Sequence, residues 1–227
     1  MNAGEVLPVA LLGGVMGLDV VCFPQMMFSR PLVAGTVAGA FVGEPAMGVL
    51  AGVTMELIAL ATLPFGASRY PEWGSAAVVA GALTGALPGN RPGTLTVVVL
   101  AGLATAWVGG WTLVKLRQFN AWLARRRRPA LDAGSRGAVI GLQLAGLTSD
   151  LVRAMGLTGL MYAVLHPVSR AALGVWTFSD GLSRSLVVAL ASAVAASAAW
   201  TIFHSARGAR LYFAGGLAVG LALLLTR

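Results

Sequence analysis

The sequence predicts an all-α fold: a polytopic membrane helical bundle with short re-entrant or broken helices in its N-terminal half. Three observations carry this expectation. Hydrophobic residues make up 57% of the chain and charged residues 11%, with a mean hydropathy of +0.81, whereas a typical soluble domain carries about 25% charge. Several apolar stretches bounded by proline and glycine are too short for the roughly 30 Å hydrocarbon slab of a bilayer. Ionisable residues nevertheless sit within or beside those short stretches, where a charge costs several kcal/mol unless it is paired, protonated or wet. A chain of 227 residues supplies about six to eight passes or part-passes in a single domain, 1–227. It divides into a hairpin half, 1–93, and a half of longer helices, 94–227, and no room remains for a separate catalytic domain.

The first apolar stretch, 6–21, holds Gly13, Gly14 and Gly17, small residues that let helix backbones approach closely. Asp19 appears near its end, and Asp19, Cys22, Pro24 and Gln25 form a polar, kinked passage into Phe28-Ser29-Arg30-Pro31. Proline disfavours helix in the residue before it, so one segment stops near Arg30 and the next begins at Pro31. Arg30 is the only cation in the first 68 residues. Its available partners are Asp19, Glu44 and Glu56, and the alternative is snorkelling to the interface.

Two apolar arms, 31–43 and 46–63, flank the breaker Glu44-Pro45. At 1.5 Å per residue they rise about 20 Å and about 27 Å. This is the pattern of a re-entrant hairpin, tolerated at membrane depth only where protein or a water-filled cavity surrounds it. Glu56 lies inside the second arm. The run 64–73 is rich in breakers; amides around Gly66 and Ala67 can donate to a polar solute, and Glu72 can accept from hydroxyls. The same run reads equally as an interfacial loop with Tyr70 and Trp73 in an aromatic belt. A further short arm, 75–87, ends at the breakers of 88–93, giving two successive hairpins.

Residues 94–114 span about 31 Å, enough to cross in full. Lys115, Arg117, Arg125, Arg126, Arg127, Arg128 and Arg136 then face a single acid, Asp132, in a basic loop at 115–136. Positive charge between apolar segments marks a cytoplasmic loop lying against anionic headgroups rather than a nucleic-acid surface. Within it Phe119, Trp122 and Leu123 fit either an amphipathic interfacial helix or a stop-transfer flank. In 137–165, Asp150 and Arg153 are three apart on one helical face and form a structural ion pair. Residues 168–185 read as a loop or interfacial turn, and 186–203 and 211–225 as two closing apolar helices.

The lone Cys22 excludes an internal disulfide or thiolate cluster, and the isolated His166 and His204 lack zinc spacing. No metal or other cofactor is expected. The N-terminus lacks the charged start of a cleavable signal peptide, so the chain is expected to be kept whole. There is no GxxxxGK phosphate loop and no nucleophile elbow. What remains is a pathway or a scaffold, and polar residues on broken membrane segments favour the pathway.

Gly17-Leu18-Asp19, the run from Gln25 to Gly35, Gly43-Glu44-Pro45 with Gly48, Met55-Glu56-Leu57, and Pro64-Phe65-Gly66-Ala67 with Pro71-Glu72 together resemble the N-terminal half of a known family. This is the IIC permease component of the mannose/fructose/sorbose family of the bacterial sugar phosphotransferase system. The resemblance implies a permease in the bacterial cytoplasmic (inner) membrane that forms a sugar translocator with a IID membrane subunit in a trimeric assembly. It also implies soluble IIA and IIB partners that phosphorylate the incoming hexose, so that the chain itself carries no phosphotransfer residue. On matching positions it implies sugar binding near Gln25, Arg30, Glu56, Gly66, Ala67 and Glu72, with Asp19 beside them. The chain departs from the family in having Glu72 where Asp is usual, and its second half matches mainly in length and hydropathy. A degenerate member acting as a non-transporting interaction or regulatory subunit is the alternative.

Overall fold

The computed structural model describes residues 3–20, 22–62, 69–87 and 91–226. Among them are nine helices: α1 (Ala3–Leu18), α2 (Pro31–Phe41), α3 (Pro45–Ala59), α4 (Trp73–Ala86), α5 (Thr94–Arg126), α6 (Arg128–Asp132), α7 (Arg136–Gly174), α8 (Asp180–Phe203) and α9 (Ala209–Leu225). The described residues contain no strand, so the expected class holds. By length and apolarity, α5, α7 and α8 are each able to cross a membrane, whereas α1 to α4 and α9 are shorter apolar helices.

Helices α2 and α3 form the hairpin expected from Glu44-Pro45. Gly43 closes α2 at φ +83°, a left-handed conformation that glycine adopts without steric cost. Its N–H donates to Ala40 O (3.2 Å) while Glu44 N–H donates to Gly39 O (2.8 Å), the paired bonds of a Schellman stop. Pro45 then starts α3 at a position where no N–H is needed. The two helices face each other through Gly35 and Gly39 on α2 and Gly48 and Gly52 on α3. A Cβ placed on Gly39 would lie 2.5 Å from the Gly48 Cα, and one on Gly35 would lie 3.0 Å from the Gly52 Cα. Two facing GxxxG stripes thus bring the backbones into contact, the usual route to helix association where lipid offers no hydrophobic drive.

Helix α4 is the central post. It packs on α1, α2, α3, α5 and α7, and Ala76, Ala77, Val78, Val79, Ala80 and Leu83 are all fully buried. Its sequence, WGSAAVVAGALTGA, is apolar and small around the whole circumference, as a helix enclosed on every side requires.

Two expectations are corrected. The basic stretch 115–136 is mainly helix rather than loop. α5 runs on without a break for 33 residues, about 50 Å, because no glycine or proline lies between Gly110 and Pro129 and Lys, Arg, Gln, Leu and Ala favour helix. The reversal comes only at 133–135, where Gly134 takes φ +70° and Ser135 caps α7 by accepting from Ala138 N–H (3.3 Å). The stretch 168–185 likewise divides differently. α7 continues through Pro167 to Gly174, and α8 begins at Asp180 with Ser179 as its cap, accepting from Leu182 N–H (3.4 Å).

Candidate functional site

Where α1 ends, Asp19 turns its carboxylate back onto the following passage instead of toward a cation. Its Oδ1 accepts from Met26 N–H (2.6 Å), and its Oδ2 accepts from Ser29 N–H (2.9 Å) and Ser29 Oγ (3.0 Å). The side chain is buried. These bonds hold a loop in which Gln25 and Met27 take φ +58° and +65°, a region costly for residues with a Cβ unless their surroundings fix it. The loop delivers Gln25, Ser29 and Arg30 to one wall of a cavity of about 250 Å³, with Thr62, Tyr70 and Trp73 on the others.

Of its three possible partners Arg30 takes Glu56. The guanidinium pairs with Glu56 Oε1, and Glu56 Oε2 also accepts from Leu32 N–H (3.3 Å). The pair joins the start of α2 to the last turn of α3 at the open end of the hairpin, opposite the Gly43 stop. Arg30 keeps about a third of its side chain exposed (34%) and lines the cavity, whereas Glu56 stands behind it. Across the cavity Trp73 Nε1 donates to Thr62 Oγ1 (3.2 Å), linking the entry of α4 to the end of α3. Tyr70 is buried with the Arg117 guanidinium 4.9 Å from its ring centre. Amide, hydroxyl and guanidinium groups beside aromatic faces make a site able to hold a small polar solute, a little below the usual ligand-site range of about 300–1,000 Å³.

A family model described as the PTS system sorbose-specific IIC component matches residues 4–173. The chain belongs to this family. Over 68 residues it is 31% identical to the sorbose-specific EIIC component of Lacticaseibacillus casei, a match covering 30% of this chain and 24% of that one. Over 129 residues it is 25% identical to the mannose-specific EIIC component of Escherichia coli, covering 57% and 47%. The matched part thus spans less than half the length of these curated relatives. Among solved structures, one described as a membrane protein aligns at TM-score 0.77 with 16% identity, covering 100% of this chain and 93% of that one. A chain from the complex of the mannose transporter ManYZ with a microcin aligns at 0.62 with 17% identity, covering 97% and 87%. Both share the fold.

The remaining positions of this sorbose-type IIC chain that were singled out from the sequence fall differently. Gly66 and Ala67 lie outside the described residues. Glu72 is fully buried and does not line the cavity, although its neighbours Pro71 and Trp73 do. It is the N-cap of α4, its Oε1 accepting from Ser75 N–H (3.1 Å), while its own N–H donates to Ala106 O of α5 (2.9 Å). The extended segment reaches α5 because Gly109 and Gly110 leave space; a Cβ on Gly110 would lie 2.5 Å from Tyr70 O. Among the described residues Glu72 Oε2 has no hydrogen-bond partner.

A second buried polar group lies nearby. Asp150 and Arg153 pair as expected, with Arg153 Nε donating to Asp150 Oδ1 (2.8 Å). The pair extends further than the sequence indicated, since Cys22 Sγ donates to Asp150 Oδ2 (3.0 Å) and Arg153 Nη1 to Thr112 Oγ1 (3.2 Å). It therefore ties the start of the cavity loop to α5 and α7. Sequence reasoning passed over Ser29 and Thr62 as wall residues. A hydroxyl just past the end of an apolar arm was the signal available for Thr62.

Proposed function

We propose that this chain is a membrane subunit of a phosphotransferase-system sugar translocator, binding a hexose-type sugar and passing it to cytoplasmic phosphorylating partners. The observation that carries the reading is the cavity of about 250 Å³ at the open end of the α2–α3 hairpin, with Gln25, Ser29, Arg30, Thr62 and Tyr70 on its walls. Hydroxyl-rich solutes need donors and acceptors on several sides together with aromatic faces, and this wall offers both. Membership of the sorbose-type IIC family supports the same reading.

In this proposal Gln25 and Arg30 meet sugar hydroxyls. Glu56 orients Arg30, Asp19 holds the loop in shape, and Glu72 fixes the start of α4. Gly66 and Ala67 contribute amides. The partners are a IID membrane subunit and IIA/IIB phosphocarriers, the assembly is trimeric, and the location is the bacterial inner membrane, crossed several times. The chain supplies no phosphotransfer residue of its own.

Uptake of labelled hexose into cells carrying the partner subunits tests this. Arg30→Gln and Gln25→Ala are each expected to lower uptake at least tenfold while membrane insertion is unchanged; normal uptake in both ends the proposal. The Arg30–Glu56 pair also fits a second reading, a non-transporting subunit whose hairpin only docks a partner. In that case the Arg30→Glu/Glu56→Arg exchange restores assembly, and hexose gives no thermal shift in the wild-type chain.

A further inference from the structure

We propose that the groove between α5 and α7 beside Lys115 is a binding site for an anionic phospholipid. The groove encloses about 550 Å³ and is walled by Trp111, Lys115 and Phe119 of α5 and by Ser149, Val152 and Arg153 of α7. The α5 positions recur every four residues and the α7 positions lie three and four beyond Ser149, so each helix presents one face to it.

Its place along α5 fixes the kind of occupant. Residues 94–114 are apolar and the basic run begins at Lys115, so the groove straddles the boundary between hydrocarbon and headgroups. Trp111 and Val152 are 53% and 61% exposed and offer an apolar wall to an acyl chain, while Phe119 lies one turn beyond Lys115 on the headgroup side. The Lys115 ammonium lies 5.6 Å from the Trp111 ring centre and is in no salt bridge among the described residues. Arg153 lines the groove with its side chain nine-tenths buried. Its Nη2 lies 2.8 Å from Asp150 Oδ1 but has no aligned hydrogen-bond acceptor among the described residues.

None of the lining residues is acidic, and Asp150 is fully buried. The unpaired Lys115 ammonium and the Ser149 hydroxyl, beside apolar walls and with the Arg153 guanidinium edge in the same lining, match a phosphodiester carried on acyl chains. A free phosphate would leave the apolar wall uncovered, and a neutral lipid would leave Lys115 without a counter-charge.

The test uses the full chain purified in neutral detergent, with phosphatidylglycerol, phosphatidylcholine and inorganic phosphate as probes. Lipid retention is read by native mass spectrometry and stability by the thermal midpoint. Phosphatidylglycerol is expected to be retained and to raise the midpoint, and the other two are not. Lys115→Gln is expected to weaken phosphatidylglycerol binding about fivefold, the order of one basic side chain near an anionic surface, and Ser149→Trp to block it by filling the groove. Arg127→Gln, on the same basic end but outside the groove, is expected to change it less than about twofold. Equal effects of the two lipids overturn the site, and a matching effect of inorganic phosphate makes it an anion site rather than a lipid site. Equal losses in Lys115→Gln and Arg127→Gln reduce it to diffuse charge attraction. If Lys115→Gln does not fold, Ser149→Trp decides. No sugar enters the experiment, so its failure leaves the transport proposal standing.

Discussion

Arg30 and Glu56 show how one pair serves both the hairpin and the cavity. With 34% and 18% of their side chains exposed, they lie between a surface pair, worth at most about 1 kcal/mol, and a fully buried one, whose disruption costs about 3–5 kcal/mol. Glu56→Gln is therefore expected to cost about 1–2 kcal/mol, seen as a lower thermal midpoint in detergent, and Arg30→Glu/Glu56→Arg to recover most of that loss. No recovery would mean that the pair adds nothing to hairpin stability. Glu72 has a different part. As N-cap of α4 it accepts from Ser75 N–H, a role that Gln keeps through its amide oxygen and Ala loses. Glu72→Ala is expected to destabilise by about 0.5–2 kcal/mol, whereas Glu72→Gln holds the midpoint close to wild type. A residue that only contacted sugar would show no such split. The sequence could not separate these roles, since a carboxylate just before a helix can serve either as its cap or as an acceptor for a sugar hydroxyl. Asp19 was legible as a polar residue near a helix end, but its three bonds depend on Gln25 and Met27 adopting positive φ, which no local pattern announces.

At the scale of elements, the N-terminal half was legible because proline and glycine punctuate it. Pro31, Gly43 and Pro45 set three helix boundaries to within two residues. The second half was less so, because charge was read as loop. The basic residues of α5 are good helix formers, and no glycine or proline lies in 111–128, so the helix runs on to Arg126 and the bundle carries its charge on a helical hairpin. The glycine stripes give the sharpest contrast in packing. Gly39→Ala would place a methyl 2.5 Å from the Gly48 Cα, where only backbone can yield, whereas a Cβ at Gly141 on α7 meets nothing within 4 Å. Gly39→Ala is expected to cost about 1–3 kcal/mol as the hairpin splays. Gly141→Ala is expected to be neutral or to stabilise by up to about 1 kcal/mol through helix propensity. Comparable midpoints for the two would show that the hairpin backbones are not in contact.

For the whole molecule the decisive asymmetry is charge. Lys115, Arg117, Arg125, Arg126, Arg127, Arg128 and Arg136 all lie on the α5–α6–α7 hairpin, and Lys and Arg near the ends of membrane segments are retained on the cytoplasmic side. If α5 crosses the membrane, the opposite end of the bundle, at the start of α5 near Gly93, faces outward. Site-directed labelling checks this directly. Cys22 is the single cysteine, and Cys22→Ser preserves a donor toward Asp150, so a background free of thiols should keep the fold. In that background Arg127→Cys is expected to react with a membrane-impermeant maleimide in inside-out vesicles and not in intact cells. Thr94→Cys is buried and would report poorly, so Arg91→Cys, exposed just before α5, is the matching outer position, with the reverse pattern of labelling. If Arg127→Cys were labelled in intact cells, the basic hairpin would be external.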